Sequence, residues 1–331
     1  RLDGRQDAEV LIDTGLQKPT ALSIDWISGN MFISDMRPQE NSFLVSSQQG
    51  RLPKSHPNAA RINICKLDGA FLGEIDYVHV NNVTHLAVDP FLGYDYFIDK
   101  NYQTSKYIIG GFDMIGKMFI LTDNVSNNKL NRPAELVIDF STKRIYWINL
   151  GSGLIQYYSP ESKTVMSLRQ NGVVNSNYFG LAVHKNHIYY GINDTLYRRQ
   201  LDITSNSGIE GQDEVISTEV LRATGIVIYN KRPALQNSCS SNTCAHICVP
   251  MSMERPRCLC ASGYSKFPSY NSMCVPHSEV LVYSSQRGLT GLELMPDGHG
   301  KAGGLPAISR LGAVSRISAD SQQRLLVVVD S

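Results

Sequence analysis

The sequence predicts an all-β chain of repeated hairpins, followed by a small cysteine-rich module and a renewed hairpin pattern. Three observations carry that prediction. A short apolar run ending in Asp is followed, across a polar turn, by an aromatic-rich run closing on Asp or Asn, and the unit recurs. In three copies the two end residues stand ten positions apart: Asp25 and Asp35, Asp89 and Asp99, Asp139 and Asn149. Six of the seven cysteines fall between Cys239 and Cys274. No stretch carries the 3.6-residue apolar period of a long amphipathic helix.

In chain order, Leu22–Asp25 leads to Met31–Asp35, Leu86–Asp89 to Asp95–Asp99, and Leu136–Asp139 to Ile145–Asn149. A fourth unit, Leu181–His184 then His187–Gly191, has a shorter turn and His184 in the Asp slot. The intervals between these slots are 64, 50 and 45 residues, the first lengthened by a Ser-, Gln-, Pro- and Asn-rich insertion at 38–57. Without it the period is that of a propeller blade. Further β-like runs at Val10–Ile12, Ile62–Cys65, Met118–Leu121, Ile155–Tyr158 and Thr195–Tyr197 bring each repeat to about four strands. Unrelated strands of a β-sandwich would not keep a ten-residue spacing. The recurring Asp is read as a turn-former, since its carboxylate bonds nearby backbone; Asp25, Asp89 and Asp139 are scaffold.

Hydrophobic residues make up 42% of the chain and the net charge is +1, which fits a globular protein and offers no nucleic-acid surface. No apolar run reaches the ~18 residues of a membrane span. Arg1–Gly4 reads as a cut within a longer chain. Asn82, Asn124 and Asn193 head N-x-S/T sequons; with the clustered cysteines they imply an oxidising, extracellular setting. Six cysteines allow fifteen pairings. A zinc site built around His246 and Cys258-x-Cys260 competes with disulfides, but the repeated C-x2–4-C pairs of zinc modules are missing. Cys65 reads as a buried free thiol, the alternative being a bridge to a cysteine beyond this chain.

The hairpins resemble the YWTD propeller repeat of the low-density lipoprotein receptor-related (megalin-like) endocytic receptors. The YWTD slot reads Phe32-Ile33-Ser34-Asp35, Tyr96-Phe97-Ile98-Asp99, Tyr146-Trp147-Ile148-Asn149 and Tyr189-Tyr190-Gly191-Ile192. Leu67-Asp68-Gly69 and the segment Gly225–Tyr229, taken as a closing strand, are similar too. The cysteine spacing, with Gly263-Tyr264 after the fifth cysteine, resembles an EGF-like module. That resemblance implies the bridges Cys239–Cys248, Cys244–Cys258 and Cys260–Cys274. The segment before Cys239 lacks the acidic residues of the calcium-binding variant.

The resemblance implies a partial six-bladed propeller at 1–234, an EGF-like module at 235–276 and the first blade of a second propeller at 277–331. The missing blades are expected upstream of Arg1 or elsewhere in the assembly. In that second propeller, Val280–Tyr283, Leu292–Leu294, Val314–Asp320 and Arg324–Asp330 read as strands, the last two as a further hairpin, and Gly298–Gly304 as a mobile loop. Family membership further implies the extracellular part of a single-pass plasma membrane receptor that cycles through endosomes. Its partners would be secreted protein or lipoprotein ligands, other modules of the same receptor and a second copy. Calcium would sit in neighbouring cysteine-rich modules, with no cofactor or metal site in this stretch. A Wnt co-receptor type ectodomain and a nidogen-type matrix adhesion protein are alternatives.

No nucleophile elbow, H-E-x-x-H, P-loop or dinucleotide fingerprint is present, so no catalytic residue is assigned. His184 and His187 are candidates for a pH switch, because imidazole titrates between surface and endosomal pH.

Overall fold

A computed structural model describes residues 9–36, 60–75, 80–123, 130–168, 177–201, 212–229, 235–285, 288–294, 300–308, 314–320 and 325–330, apart from 14, 102–103, 115, 221–222, 242–243 and 252–254. The 38–57 insertion lies outside the described residues. Every regular element among those described is a strand.

Four antiparallel sheets of four strands follow one another. The first holds β1 (Pro19–Asp25), β2 (Asn30–Met36), β3 (Ala60–Lys66) and β4 (Gly73–Glu74). The second holds β5 (Val83–Asp89), β6 (Tyr94–Lys100), β7 (Tyr107–Asp113) and β8 (Met118–Asp123). The third holds β9 (Pro133–Asp139), β10 (Arg144–Asn149), β11 (Leu154–Ser159) and β12 (Thr164–Ser167). The fourth holds β13 (Tyr178–His184), β14 (His187–Ile192), β15 (Thr195–Gln200) and β16 (Glu214–Ser217). Their first strands pack side by side, β1 on β5, β5 on β9 and β9 on β13, as the inner strands of successive propeller blades do.

The two faces of each second strand explain the aromatic repeat. Tyr96 and Ile98 of blade two meet Ile145 and Trp147 of blade three, and Tyr146 and Ile148 meet Ile188 and Tyr190 of blade four. Side chains alternate across a strand, so one short motif supplies apolar surface to both neighbours. Trp147, Tyr146 and Ile148 are fully buried.

The closing residue of each motif pins the chain entering its own blade. Asp35 accepts from the backbone N–H of Gln17 and Lys18 at 2.9 and 2.6 Å, and Asp99 from Asn81 and Asn82 at 3.0 and 2.6 Å. Asn149 accepts from Asn131 N–H at 3.0 Å.

After the blades come two small hairpins, β17 (Ile247–Val249) with β18 (Arg257–Leu259) and β19 (Tyr264–Phe267) with β20 (Tyr270–Pro276). Disulfides join Cys239 to Cys248, Cys244 to Cys258 and Cys260 to Cys274. A three-stranded sheet then follows, β21 (Val280–Ser285), β22 (Gly288–Leu294) and β23 (Gly300–Ile308), and a final hairpin, β24 (Val314–Asp320) with β25 (Leu325–Asp330).

Three expectations are corrected. Val10–Ile12 is not a strand; Ile12 packs instead on the cluster of Met31, Ile33 and Cys65. Gly300–Gly304 belongs to β23, because its backbone pairs with β22 from Leu294 to Leu292. Gly225–Tyr229 lies outside every described sheet, with Ile226 N only 2.3 Å from where a Cβ on Gly180 would stand.

Candidate docking face

At one end of the blades the turns between first and second strands converge. Each of the first three is shaped by its Asp. Asp25 accepts from Ile27 and Ser28 N–H, both at 2.9 Å, and Asp89 from Phe91 and Leu92 N–H at 2.9 and 3.1 Å. Asp139 accepts from Ser141 N–H at 3.0 Å and from the Ser141 and Thr142 hydroxyls at 2.6 and 2.7 Å. The residues that follow supply Trp26, Phe91 and Phe140, whose rings meet edge-on with centroids 5.2 to 6.2 Å apart.

The disulfide module is wedged against this end of blades one and two. Ile247 and Val249 lie in the same core cluster as Phe32, Ile62, Val88 and Phe112. Asn30 Nδ2 donates to Cys248 O at 2.7 Å, and Ser262 N–H to Leu72 O at 2.9 Å. Gly93 has φ +68°, and a Cβ there would stand 2.2 Å from Pro250 O, so only glycine lets the two chains approach. His246 stacks on Phe71 of blade one, 4.4 Å between centroids, and meets Tyr264 edge-on at 4.7 Å. Its Nδ1 accepts from Ala261 N–H at 3.2 Å, and burial lowers its affinity for a proton. The sulfurs of Cys260 and Cys274 lie within 4.8 Å of a His246 ring nitrogen, but they are joined to each other.

Three gaps separate the four turns. Asn237 spans the first, its Nδ2 donating to Ser28 Oγ at 2.8 Å and to Pro90 O at 2.9 Å. Lys143 spans the second, with Nζ 3.8 Å from Asp89 Oδ2 and 5.2 Å from the Phe91 ring centre. The third opens as a cleft of about 310 Å³ lined by Ile138 to Ser141 on one side and Val183 to Asn186 on the other.

His184 is half-buried on that cleft and faces His187 across the turn; His187 Nδ1 lies 2.9 Å from Lys185 O. Cys65 is fully buried, and burial, helped by the Asp68 charge, pushes its thiol up to about 11. Asn193 is exposed. Asn82 is 9% exposed, with its backbone tied to Asp99 and Lys100. Asn124 lies outside the described residues.

Sequence reasoning missed one buried pair. Asp95 is fully buried, and its two carboxyl oxygens lie 3.1 and 3.3 Å from Ser23 Oγ of blade one. Burial pushes its pKa up to about 8, against bonds from Ser23 and the backbone. Aligning the hairpins would have found it. Asp95 stands where Met31, Ile145 and Ile188 stand, and Ser23 where Ala87, Val137 and Ala182 stand.

No protein-family model matches the chain. The vitellogenin receptor Yl of Drosophila melanogaster is 24% identical over 340 residues, covering 97% of this chain and so running through blades and disulfide module alike. The chain is similar to proteins of the low-density lipoprotein receptor family. A second relative in that family, low-density lipoprotein receptor-related protein 5 of Mus musculus, is 24% identical over 273 residues and 78% of this chain. The chain spans 15% of the length of each of these receptors. Among solved structures, a nidogen–laminin complex is 16% identical with a TM-score of 0.39, covering 58% of this chain and 79% of that one. Both curated relatives carry receptor names, and the first is matched through blades and disulfide module alike.

Proposed function

We propose that this chain is a rigid spacer and docking segment of a multi-ligand endocytic receptor, which binds secreted protein or lipoprotein ligands, is internalised and releases them in acid. The observation that carries this reading is the wedge of the disulfide module into blades one and two. A module that shares a hydrophobic core with its neighbour transmits orientation, where a flexible linker would not. The Drosophila relative, by name a vitellogenin receptor and matched along 97% of this chain, supports a protein ligand. In this reading residues 1–234 form an incomplete propeller, 235–276 an EGF-like module and 277–331 the opening of a second propeller. Calcium is held by cysteine-rich modules elsewhere in the receptor, and homodimers bring two such arms together. His184 and His187 are the proposed acid-responsive pair.

The test is ligand capture by the full receptor at about pH 7.4 and about pH 5.5, with internalisation followed in cells. Capture that is equal at both pH values, or a receptor that never enters cells, sinks the reading. A His184→Ala variant whose release is unchanged removes that residue from the acid response.

A Wnt co-receptor type ectodomain is the second reading, favoured by the match to low-density lipoprotein receptor-related protein 5 over 78% of the chain. Signal activation by a secreted ligand without internalisation would favour it.

A further inference from the structure

The three gaps between hairpin turns are equivalent by the repeat, yet they are treated differently. In the first, a segment from outside the sheets inserts one polar side chain, Asn237, that bonds both flanking turns. The second is closed from within by Lys143 and by Phe91 packing on Phe140 at 5.7 Å. The third differs for a reason visible in its own residues. Where the other turns supply an aromatic ring after the Asp slot, blade four has Lys185, and the turn Lys185–Asn186 is short, with φ of 46° and 60°. No ring projects from it to meet Phe140, and among the described residues the cleft stays open.

Its chemistry is one-sided. The floor is apolar, from Ile138, Val183 and Phe140. Lys185 is exposed on the rim, with His184 beside it and His187 across the turn. The one carboxylate lining the cleft, Asp139, is directed to the hydroxyls of Ser141 and Thr142.

We propose that this cleft is a docking notch for an extended segment of a partner protein, which inserts an aspartate or glutamate side chain between the third and fourth turns. The segment sits as residue 237 sits in the first gap, with a carboxylate replacing the amide because the rim is cationic. This rests on the receptor reading above and names the chemistry of one partner contact.

Hexaglutamate, acetylated and amidated at its ends, is the probe, titrated calorimetrically into the full ectodomain at low salt. Saturable binding is expected, weakened about tenfold by Lys185→Glu. Ser141→Trp, which fills the cleft without changing charge, should weaken it similarly. Lys163→Glu, on the exposed β11–β12 turn, should leave it unchanged. No saturable binding, or equal loss from Lys185→Glu and Lys163→Glu, overturns the proposal. So does hydrogen exchange showing that Ser141→Trp exposes another module of the same receptor, since the notch would then be filled from within. Ligand capture by the same variants separates the two ideas. Capture with no hexaglutamate binding sinks the notch alone, and failure of wild-type capture sinks the receptor reading alone.

Discussion

The junction between blades one and two and the junction between blades three and four use the same strands in the same register, but they are built differently. The second is built round an apolar cluster, in which Tyr146, Ile148, Ile155 and Tyr157 meet Leu181, Ile188 and Tyr190; the Tyr178 hydroxyl donates across it to Gly153 O at 2.6 Å, and the turns at its end stand open as a cleft. The first carries a buried Ser23–Asp95 hydrogen bond within its sheets and is covered at its end by the disulfide module. One repeat thus yields a junction held by an apolar cluster with part-buried hydrogen bonds at its edge, and another held by burial, a fully buried polar pair and a third partner. The pair costs desolvation that an apolar contact would not. In return it demands one arrangement of the two blades, because a misplaced carboxyl there would lose its bonds.

Four measurements test the difference between the two junctions. Ile155→Ala, in the apolar junction, removes a fully buried side chain and should cost about 2–5 kcal/mol in denaturant unfolding. A cost near zero would show that the blades do not unfold together.

Gly93→Ala attacks the covered junction. The new Cβ meets Pro250 O, and the residue must also hold a positive φ, so a loss of about 1–3 kcal/mol is expected. Hydrogen exchange should rise at Ile247 and Val249 while blade four keeps its protection. Unchanged exchange in the module would mean that the wedge is not what holds it.

The pH dependence separates the junctions further. Asp95 has a folded pKa raised to about 8, so its contribution is fully present in acid and lost as pH rises through about 8. His85, in the same blade, is pushed down to about 4 by burial, so its contribution is present above its ordinary value of 6.5 and lost as pH falls through about 4. Between about 4 and 6.5 the two slopes oppose and stability should stay level. From 6.5 to about 8 it should fall by up to about 1.4 kcal/mol per pH unit. Urea midpoints across this range check it. Asp95→Asn should remove the upper slope and uncover the His85 slope in acid; a variant with the wild-type profile would count against the buried proton.

The smallest effect concerns modification rather than stability. Peptide mapping of secreted material should find glycan on Asn193 and none on Asn82, because exposure, not the tripeptide, separates them. Glycan on Asn82 would show that the start of β5 is accessible during folding.

Much of this architecture was legible from residue order. The ten-residue spacing of Asp25 with Asp35, and its copies, located the inner hairpins because strand alternation and Asx turns are local physics. The closing Asp or Asn was visible as a position, but its task of pinning a chain some 17 residues upstream was not. The strand β23 was hidden because its glycines carry a loop signal, which pairing with β22 overrides. The cleft could not be seen at all, since it exists only where the third and fourth turns come together.

Residue order alone places the blade hairpins and the cysteine cluster, both of which are written in short-range spacing. Tertiary structure alone decided that Ile247 and Val249 join the core of blades one and two, and that Ser23 meets Asp95. It also decided that one gap of three stays open. Those outcomes depend on contacts between residues tens to hundreds of positions apart, which no local pattern encodes because they arise only when the blades close side by side.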